Sequence, residues 1–121
     1  MRDKPLTLDR FLARQLGEPD LMMHNAHLEE PGFTTLYVRY LQHAIFGRSR
    51  GPMLDLASIT VSEPGKGTFT KLVKRIRATY PNLSIRVENA LEERFQKYLT
   101  KNGFQYLGEG PSFFLDARPH R

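Results

Sequence analysis

Residues 53–87 read MLDLASITVSEPGKGTFTKLVKRIRATYPNLSIRV, and the predicted fold follows from this stretch. The run 53–61 is mostly apolar, which is typical of a strand covered on both faces. After the glycines, apolar residues recur at helical spacing with lysines and arginines between them, so the sequence predicts an amphipathic helix that ends at Pro81. Residues 83–87 alternate as a second strand. Strand, loop, helix and strand in this order predict a βαβ unit with two parallel strands.

The loop between this strand and this helix carries a lysine between two glycines. A strand that runs through Gly65, Lys66 and Gly67 into a helix places free backbone N–H groups and the positive end of the helix dipole at one point. The loop lacks the third glycine of a dinucleotide fingerprint and the Gly-Lys-Ser/Thr ending of a P-loop. By itself it therefore fits an anion site and a plain turn about equally well.

Upstream of this unit, residues 7–17 predict a short amphipathic helix with Thr7 as its cap. Residues 20–30 are ambiguous and fit a second short helix. Residues 33–46 predict a long strand, and 47–52 a turn that makes an antiparallel hairpin with the strand 53–61.

Downstream, Asn89 is expected to cap a helix while Glu92 reaches back to it, and Gly103 is placed to end that helix. Two short final strands, 104–107 and 112–115, follow. The predicted buried stripe of the helix consists of Leu91, Phe95, Tyr98 and Leu99.

Length and composition limit the class of protein. The 121 residues make one domain, 1–121, with an N-terminal segment (residues 1–52) and a main segment (residues 53–116). No apolar run approaches the roughly 18 residues of a membrane span, and the charged start does not resemble a signal peptide, so we expect a cytoplasmic protein. The chain has no cysteine, which excludes disulfides and thiolate chemistry. His24 and His27 lack a third ligand, so no metal site is expected.

Positive charge is concentrated in one segment. Residues 66–101 carry a net charge of +6, while the rest of the chain sums to −1. An anionic cofactor, nucleic acid, a membrane surface and a merely solvated helix face all fit this run. Nucleic acid is the weakest of these, because the sequence has no stacking series of aromatic residues and no reading motif.

The order of elements from residue 53 to residue 116, with the helix that leads into Gly103 and Phe104, resembles the acetyl-CoA-binding half of the GNAT (Gcn5-related N-acetyltransferase) family. Residues 87–104 further resemble short acetyltransferase-like proteins of bacteriophages, whose compartment is the host bacterial cytoplasm. The resemblance implies the GNAT acyl-CoA N-acyltransferase fold, an α+β (three-layer α/β) domain. Its sheet is mixed and mostly antiparallel, with a central splayed parallel pair flanked by helices.

The resemblance also implies a cofactor, acetyl-CoA, and the residues that hold it. Pantetheine pairs with the main chain of Ile59 and Val61, and the thioester lies near Glu88 and Asn89. Tyr98 borders the channel as a catalytic candidate. The residues implied at the pyrophosphate are Gly65, Lys66, Gly67, Thr68 and Phe69.

Three positions depart from the family pattern, and one of them is Glu92, which stands where the family usually has an asparagine. Ser62 stands where the family loop usually begins with Gln or Arg, and Leu99 stands where many members carry the tyrosine that protonates the thiolate. Tyr98 is the neighbour of Leu99, about 100° away around the helix. Glu88, at the end of a central strand, is the first candidate for the proton acceptor and is equally well explained as an exposed strand-end carboxylate. Asp55 is the second candidate, as a base or a paired buried charge.

Two functions of different class remain open. The first is an acetyl-CoA-dependent N-acetyltransferase that acts on an amine of a protein or a small molecule. The second is a catalytically weak or inactive protein of the same fold that binds a host protein partner, because fold does not fix function. A strand at the sheet edge could also support a homodimer.

Overall fold

The computed structural model describes residues 6–17, 23–46, 49–106, 108 and 110–117. Six strands form one sheet in the order β1-β2-β3-β4-β6-β5. Strands β3 and β4 are parallel, and the other neighbours are antiparallel. In chain order the elements are α1 Leu8–Gly17, β1 Met23–His27, β2 Phe33–Phe46, β3 Ser49–Val61, α2 Thr68–Thr79, β4 Ser84–Val87, α3 Glu93–Lys101, β5 Gln105–Tyr106 and β6 Phe113–Leu115.

The described chain is thus a small α+β domain with a mixed sheet, as the sequence predicts, and the parallel β3-α2-β4 unit is confirmed. The long β2–β3 hairpin is confirmed as well. No helix among the described residues is long and apolar enough to cross a membrane.

The main core lies on one face of the sheet. Alternate strand residues point to this face, as the period of two requires, and all three described helices bury apolar side chains in the same cluster. The described helices therefore cover one face, whereas three layers were expected. The cluster includes Leu36, Val38, Leu54, Leu56, Ile85 and Val87 from the strands and Phe11, Leu12, Leu72, Ile76 and Leu99 from the helices.

Glu30 ties two helices together beneath this core. Its side chain is only 5% exposed, and Oε2 accepts a hydrogen bond of 2.7 Å from the backbone N–H of Leu8, at the start of α1. Its Oε1 accepts a bond of 2.6 Å from Arg75 Nη2 on α2. The carboxylate thus satisfies a free N–H at a helix N-terminus and pairs with a guanidinium at the same time. Thr7 Oγ1 accepts from Arg10 N, which confirms Thr7 as the cap of α1.

Two local predictions before the glycine loop are wrong. The expected helix within 20–30 is instead the strand β1, because Met23–His27 finds hydrogen-bond partners along the free edge of the long β2. Some of the expected turn 47–52 is also strand, since β3 already begins at Ser49, while residues 47 and 48 lie outside the described residues.

The start of α3 also differs from the prediction. Asn89 does not cap this helix, since its amide points to β3, and the cap position belongs to Glu92, which makes no side-chain capping bond. Leu91 is 75% exposed rather than buried, because the helix begins only at Glu93. Gly103, with φ of +93°, follows the helix end as predicted.

Gln15 on α1 is a polar residue buried among the apolar side chains of this core. The residue is fully buried, and neither its amide nitrogen nor its amide oxygen has a hydrogen-bond partner among the described residues. We expect Gln15→Met, similar in volume and helix propensity, to raise the free energy of unfolding by about 1–3 kcal/mol, because it removes this desolvation cost. Urea denaturation measures the change.

Gln96→Met is the matched control, because Gln96 Nε2 donates a 2.7 Å hydrogen bond to Ala90 O. This substitution should lower the free energy of unfolding by about 1 kcal/mol. Equal changes in the free energy of unfolding for the two substitutions would contradict the idea that the buried amide of Gln15 destabilises the fold.

Candidate functional site

The two parallel strands separate at a β-bulge in β3. Tyr37 of β2 pairs with Ser58 and the next residue, Val38, pairs with Leu56, so Ala57 is an extra residue in β3. Pairing between β3 and β4 ends at Leu56 and Val87, yet β3 continues to Val61. A bulge bends its strand and ends regular pairing. Beyond it, the edge of β3 that faces away from β2 has no strand partner among the described residues.

The residues that follow β4 hold the point of separation. The backbone N–H of Glu88 donates to Leu56 O at 3.3 Å, and Asn89 Nδ2 donates to Ala57 O at 2.5 Å. Both carbonyls of the bulge therefore point towards the end of β4. Asn89 stands at the apex of the gap, while Ile59 and Val61 lie along the open strand beyond it.

The glycine loop follows directly from this open strand. Gly65 and Gly67 have φ of +85° and +73°, in the left-handed region that favours glycine, and a Cβ atom at either would meet nothing within 4 Å. Gly67 occupies the N-cap position of α2 without a side-chain capping bond. The first-turn N–H groups of α2, from Thr68 and Phe69, are thus open to a ligand, and the exposed Lys66 stands beside them.

Contacts below the loop fix its position. Ser62 N donates to Gly32 O at 2.8 Å, so the turn before β2 holds the start of the loop. Thr68 packs its methyl group so closely on Gly32 that a Cβ there would lie 2.6 Å away. The ring of Phe69 is buried, which leaves only its backbone N–H for a ligand.

Tyr98 on α3 lies at the first turn of α2. Its hydroxyl forms a hydrogen bond with Thr70 Oγ1, and its ring contacts the rings of Phe69 and Phe95. Burial raises the pKa of Tyr98, which keeps the hydroxyl protonated. The described contacts place this hydroxyl beside the loop and do not join it to Glu88.

The second group of polar residues lies on the sheet face opposite the main core. Arg39 of β2, Asp55 of β3 and Arg86 of β4 are direct cross-strand neighbours and form one row. Glu88 pairs with both arginines, at 3.6 Å from Arg39 Nη1 and 3.9 Å from Arg86 Nη2. Asp55 is 1% exposed, and its Oδ1 has no hydrogen-bond partner within the stretches that the structure describes.

The carboxylate of Glu88 affects the ionisation of Asp55. Burial first, then a hydrogen bond to Glu88 and repulsion from its charge, raise the pKa of Asp55 to about 7, against the opposing charges of Arg86 and Arg39. A buried carboxyl beside a second carboxylate keeps its proton more easily than it bears a second negative charge.

Aromatic rings extend this polar face towards the edge of the sheet. The Arg39 guanidinium lies over the Tyr37 ring, 5.8 Å from its centroid, and the His27 ring stands 4.6 Å beyond Tyr37. Sequence reasoning missed Arg39 and Arg86. The signal was present, because each is a charged residue at an outward position of an otherwise apolar strand.

Apart from Ile59 and Val61 on the open part of β3, the predicted site residues fall into two regions. The loop residues and Tyr98 gather at the first turn of α2, and Glu88 and Asn89 gather at the end of β4 with Asp55. Among the described residues, no group of three or more His, Asp or Glu side chains could hold a metal ion.

The fold is similar to that of one chain in the crystal structure of the KacTA–DNA complex. The TM-score is 0.50 with 17% sequence identity, over 93% of this chain and 83% of that chain. No protein-family model matches the chain, and no curated protein matches it either.

These comparisons correct one expectation from the sequence. Assignment to the GNAT family, and to its small bacteriophage members, is wrong, because no family model matches and identity to the solved structure is only 17%. The structural similarity shows a shared fold and nothing further.

The raised pKa of Asp55 predicts a pH-dependent stability. The carboxyl of the unfolded chain ionises near pH ~4 and that of the folded chain near pH 7, so between these values only the folded state holds the proton. The free energy of unfolding should then fall as pH rises from about 4 to 7, by up to about 1.4 kcal/mol per pH unit.

Asp55→Asn should abolish this contribution, so that the variant gains stability relative to the wild type as pH rises. Urea denaturation at several pH values between 4 and 8 measures both curves. Parallel curves would show that Asp55 ionises alike in the folded and unfolded chains.

Proposed function

We propose that the protein is an acetyl-CoA-dependent N-acetyltransferase with the acyl-CoA N-acyltransferase fold. One observation carries the proposal: the open edge of β3 beyond the Ala57 bulge runs straight into a loop whose N–H groups after Ser62 find no hydrogen-bond partner among the described residues. An extended chain with amide groups can form hydrogen bonds with the open edge of β3, and a phosphate group can bind the N–H groups of the loop. Coenzyme A has both groups in this order, because its pantetheine arm carries the amides and the pyrophosphate follows it.

In this arrangement pantetheine lies along β3 and bonds to the main chain of Ile59 and Val61. The pyrophosphate meets the positive end of α2 and Lys66. The remaining loop contacts come from the backbone of Gly65, Gly67, Thr68 and Phe69. No side chain of the described residues crowds the loop at its glycines, since a Cβ at Gly65 or Gly67 would meet none of their atoms within 4 Å.

The reacting end of such a cofactor comes to the apex of the gap, near Glu88 and Asn89. Holding an amine and a thioester together there supplies most of the rate, because it replaces a bimolecular encounter. Glu88 is the proton acceptor in this scheme. Its side chain is 27% exposed, so an amine can reach it from solvent.

A second candidate function is binding of a protein partner with little or no catalysis. Leu99 is fully buried in the core, so the position that would carry an acid has none, and the Tyr98 hydroxyl is already bonded to Thr70. The similar chain comes from a complex that includes DNA, and at 17% identity this names no partner for the present chain.

Isothermal titration with acetyl-CoA and with coenzyme A tests the cofactor site. We expect one-to-one binding that weakens at least about tenfold in Lys66→Glu, because the substitution sets a carboxylate against the pyrophosphate. Lys66 is preferable to Gly67 as a target, since the φ of +73° at Gly67 strains any side chain.

Lys74→Glu is the matched control, with the same change of charge on an exposed position further along α2. Its affinity should stay close to that of the wild type. Equal losses in both variants would indicate general electrostatic attraction, and no binding by the wild type would refute the cofactor site. Turnover is followed by release of the coenzyme A thiol, for which a chain without cysteine gives no background.

A further inference from the structure

The turn that joins β1 to β2 (residues 30–33, the β1–β2 turn) packs directly against the glycine loop. Gly32 in this turn has φ of +90°, and a Cβ atom there would lie 2.6 Å from Thr68 Cγ2 and 3.3 Å from Thr68 Oγ1. Of the glycines that the structure describes, only Gly32 would bring a Cβ closer than 3.4 Å to another residue. The turn and the first residue of α2 can therefore be this close only because residue 32 has no side chain.

The same glycine also holds the residue that leaves β3. Its carbonyl accepts a hydrogen bond of 2.8 Å from the backbone N–H of Ser62, which directly follows the last residue of β3. Ser62 and Thr68 are the two ends of the glycine loop, so Gly32 contacts the loop both where it begins and where it ends. The loop residues between them carry no side-chain cap for α2, and the β1–β2 turn supports them from both ends.

We propose that Gly32 is a positioning residue for the anion site, because it lets the β1–β2 turn close against Thr68 and so directs the first-turn N–H groups of α2 towards a bound phosphate. This inference rests on the proposed function, in which those N–H groups hold the pyrophosphate of coenzyme A. In this role Gly32 does not touch the ligand and acts through Ser62 and Thr68.

A second set of contacts ties the β1–β2 turn to two helices. The backbone N–H of Phe33 donates to Glu30 O at 3.2 Å and closes the turn. The buried Glu30 carboxylate accepts from Leu8 N of α1 and from Arg75 Nη2 of α2. Arg75 lies about two helical turns after Thr68, so the β1–β2 turn holds α2 at two separate points. The N-terminal segment of the chain thus takes part in the anion site without contributing a ligand.

The position of the donors decides the affinity of a site that is built from backbone N–H groups. Such groups cannot reorient independently of the chain, and a hydrogen bond weakens steeply when its N–H···O angle falls below about 120°. Several donors must therefore point at one phosphate before it arrives, or binding has to supply the cost of ordering them. The contact between Gly32 and Thr68 provides this preorganisation, since no described side chain packs against the loop at Gly65 or Gly67.

Isothermal titration with coenzyme A and with inorganic pyrophosphate tests the role of Gly32. We expect Gly32→Ala to weaken the binding of both by at least about tenfold, because the new methyl group displaces Thr68 and the N–H donors beside it. Gly103→Ala is the matched control, since its φ of +93° strains an alanine similarly, while its Cβ would meet only Leu115 Cδ1 at an ordinary 3.6 Å. Both variants should lower the midpoint of urea denaturation, and only Gly32→Ala should lose affinity.

Thr68→Ser in the Gly32→Ala background separates positioning from general damage. Serine keeps the hydroxyl and lacks the Cγ2 atom that the alanine methyl group would meet at 2.6 Å. The double variant should therefore recover most of the affinity lost in Gly32→Ala, after the effect of Thr68→Ser alone has been subtracted. A loss of affinity that does not arise at Thr68 would not be relieved in this way.

Hydrogen exchange of the wild type is a measurement that does not depend on the folding of a variant. Coenzyme A should slow exchange of the Phe33 amide, which closes the β1–β2 turn, together with that of the Ser62 amide. Unchanged exchange at both amides would overturn the positioning role, as would equal affinities of Gly32→Ala and Gly103→Ala. Absence of coenzyme A binding by the wild type is a different outcome, because it refutes the proposed function and the positioning role with it.

Discussion

A single extra residue in β3, Ala57, opens the sheet at the candidate site. With regular pairing, β3 and β4 would run side by side and the edge of β3 would be closed. The bulge turns two successive carbonyls towards the end of β4, where Glu88 and Asn89 bond to them. Separation of the strands is thus fixed by hydrogen bonds at its apex. The open edge and the loop follow the bulge along the chain, and Asp55 lies before it in the same strand.

The two faces of the sheet are used differently. One face carries the apolar residues that the three helices cover, and Glu30 fastens two of those helices to each other. The other face carries the row Arg39, Asp55 and Arg86, which alternate in charge across three adjacent strands. Opposite charges on neighbouring strands support the sheet register, whereas burial and the Glu88 carboxylate raise the pKa of Asp55 against these charges.

Periodicity and turn residues were sufficient to predict the central elements. The strands β2, β3 and β4, the helix α2 and the parallel pairing follow from residues 33–87, because the local pattern and the long-range partners agree there. The strand β1 could not be predicted, since its hydrogen bonds come from β2 rather than from its own pattern. The predicted start of α3 was wrong for a similar reason. The Asn89 side chain forms a hydrogen bond with β3, so local capping rules do not apply. The cross-strand neighbours of Asp55 could not be predicted either, because they depend on the strand register, which the pattern of a single strand does not reveal.

The absence of an acidic side chain at Leu99 bears on which step of the proposed acetyl transfer needs assistance. A thiol ionises near pH ~8.5, so a thiolate leaves readily without protonation, whereas an alkylammonium near pH ~10.4 must give up a proton before it can attack. Removal of that proton is the harder requirement at neutral pH. In the proposed reaction the carboxylate of Glu88, which is 27% exposed, meets this demand. The hydroxyl of Tyr98, bonded to Thr70 at the first turn of α2, serves the packing of α3 on the loop instead.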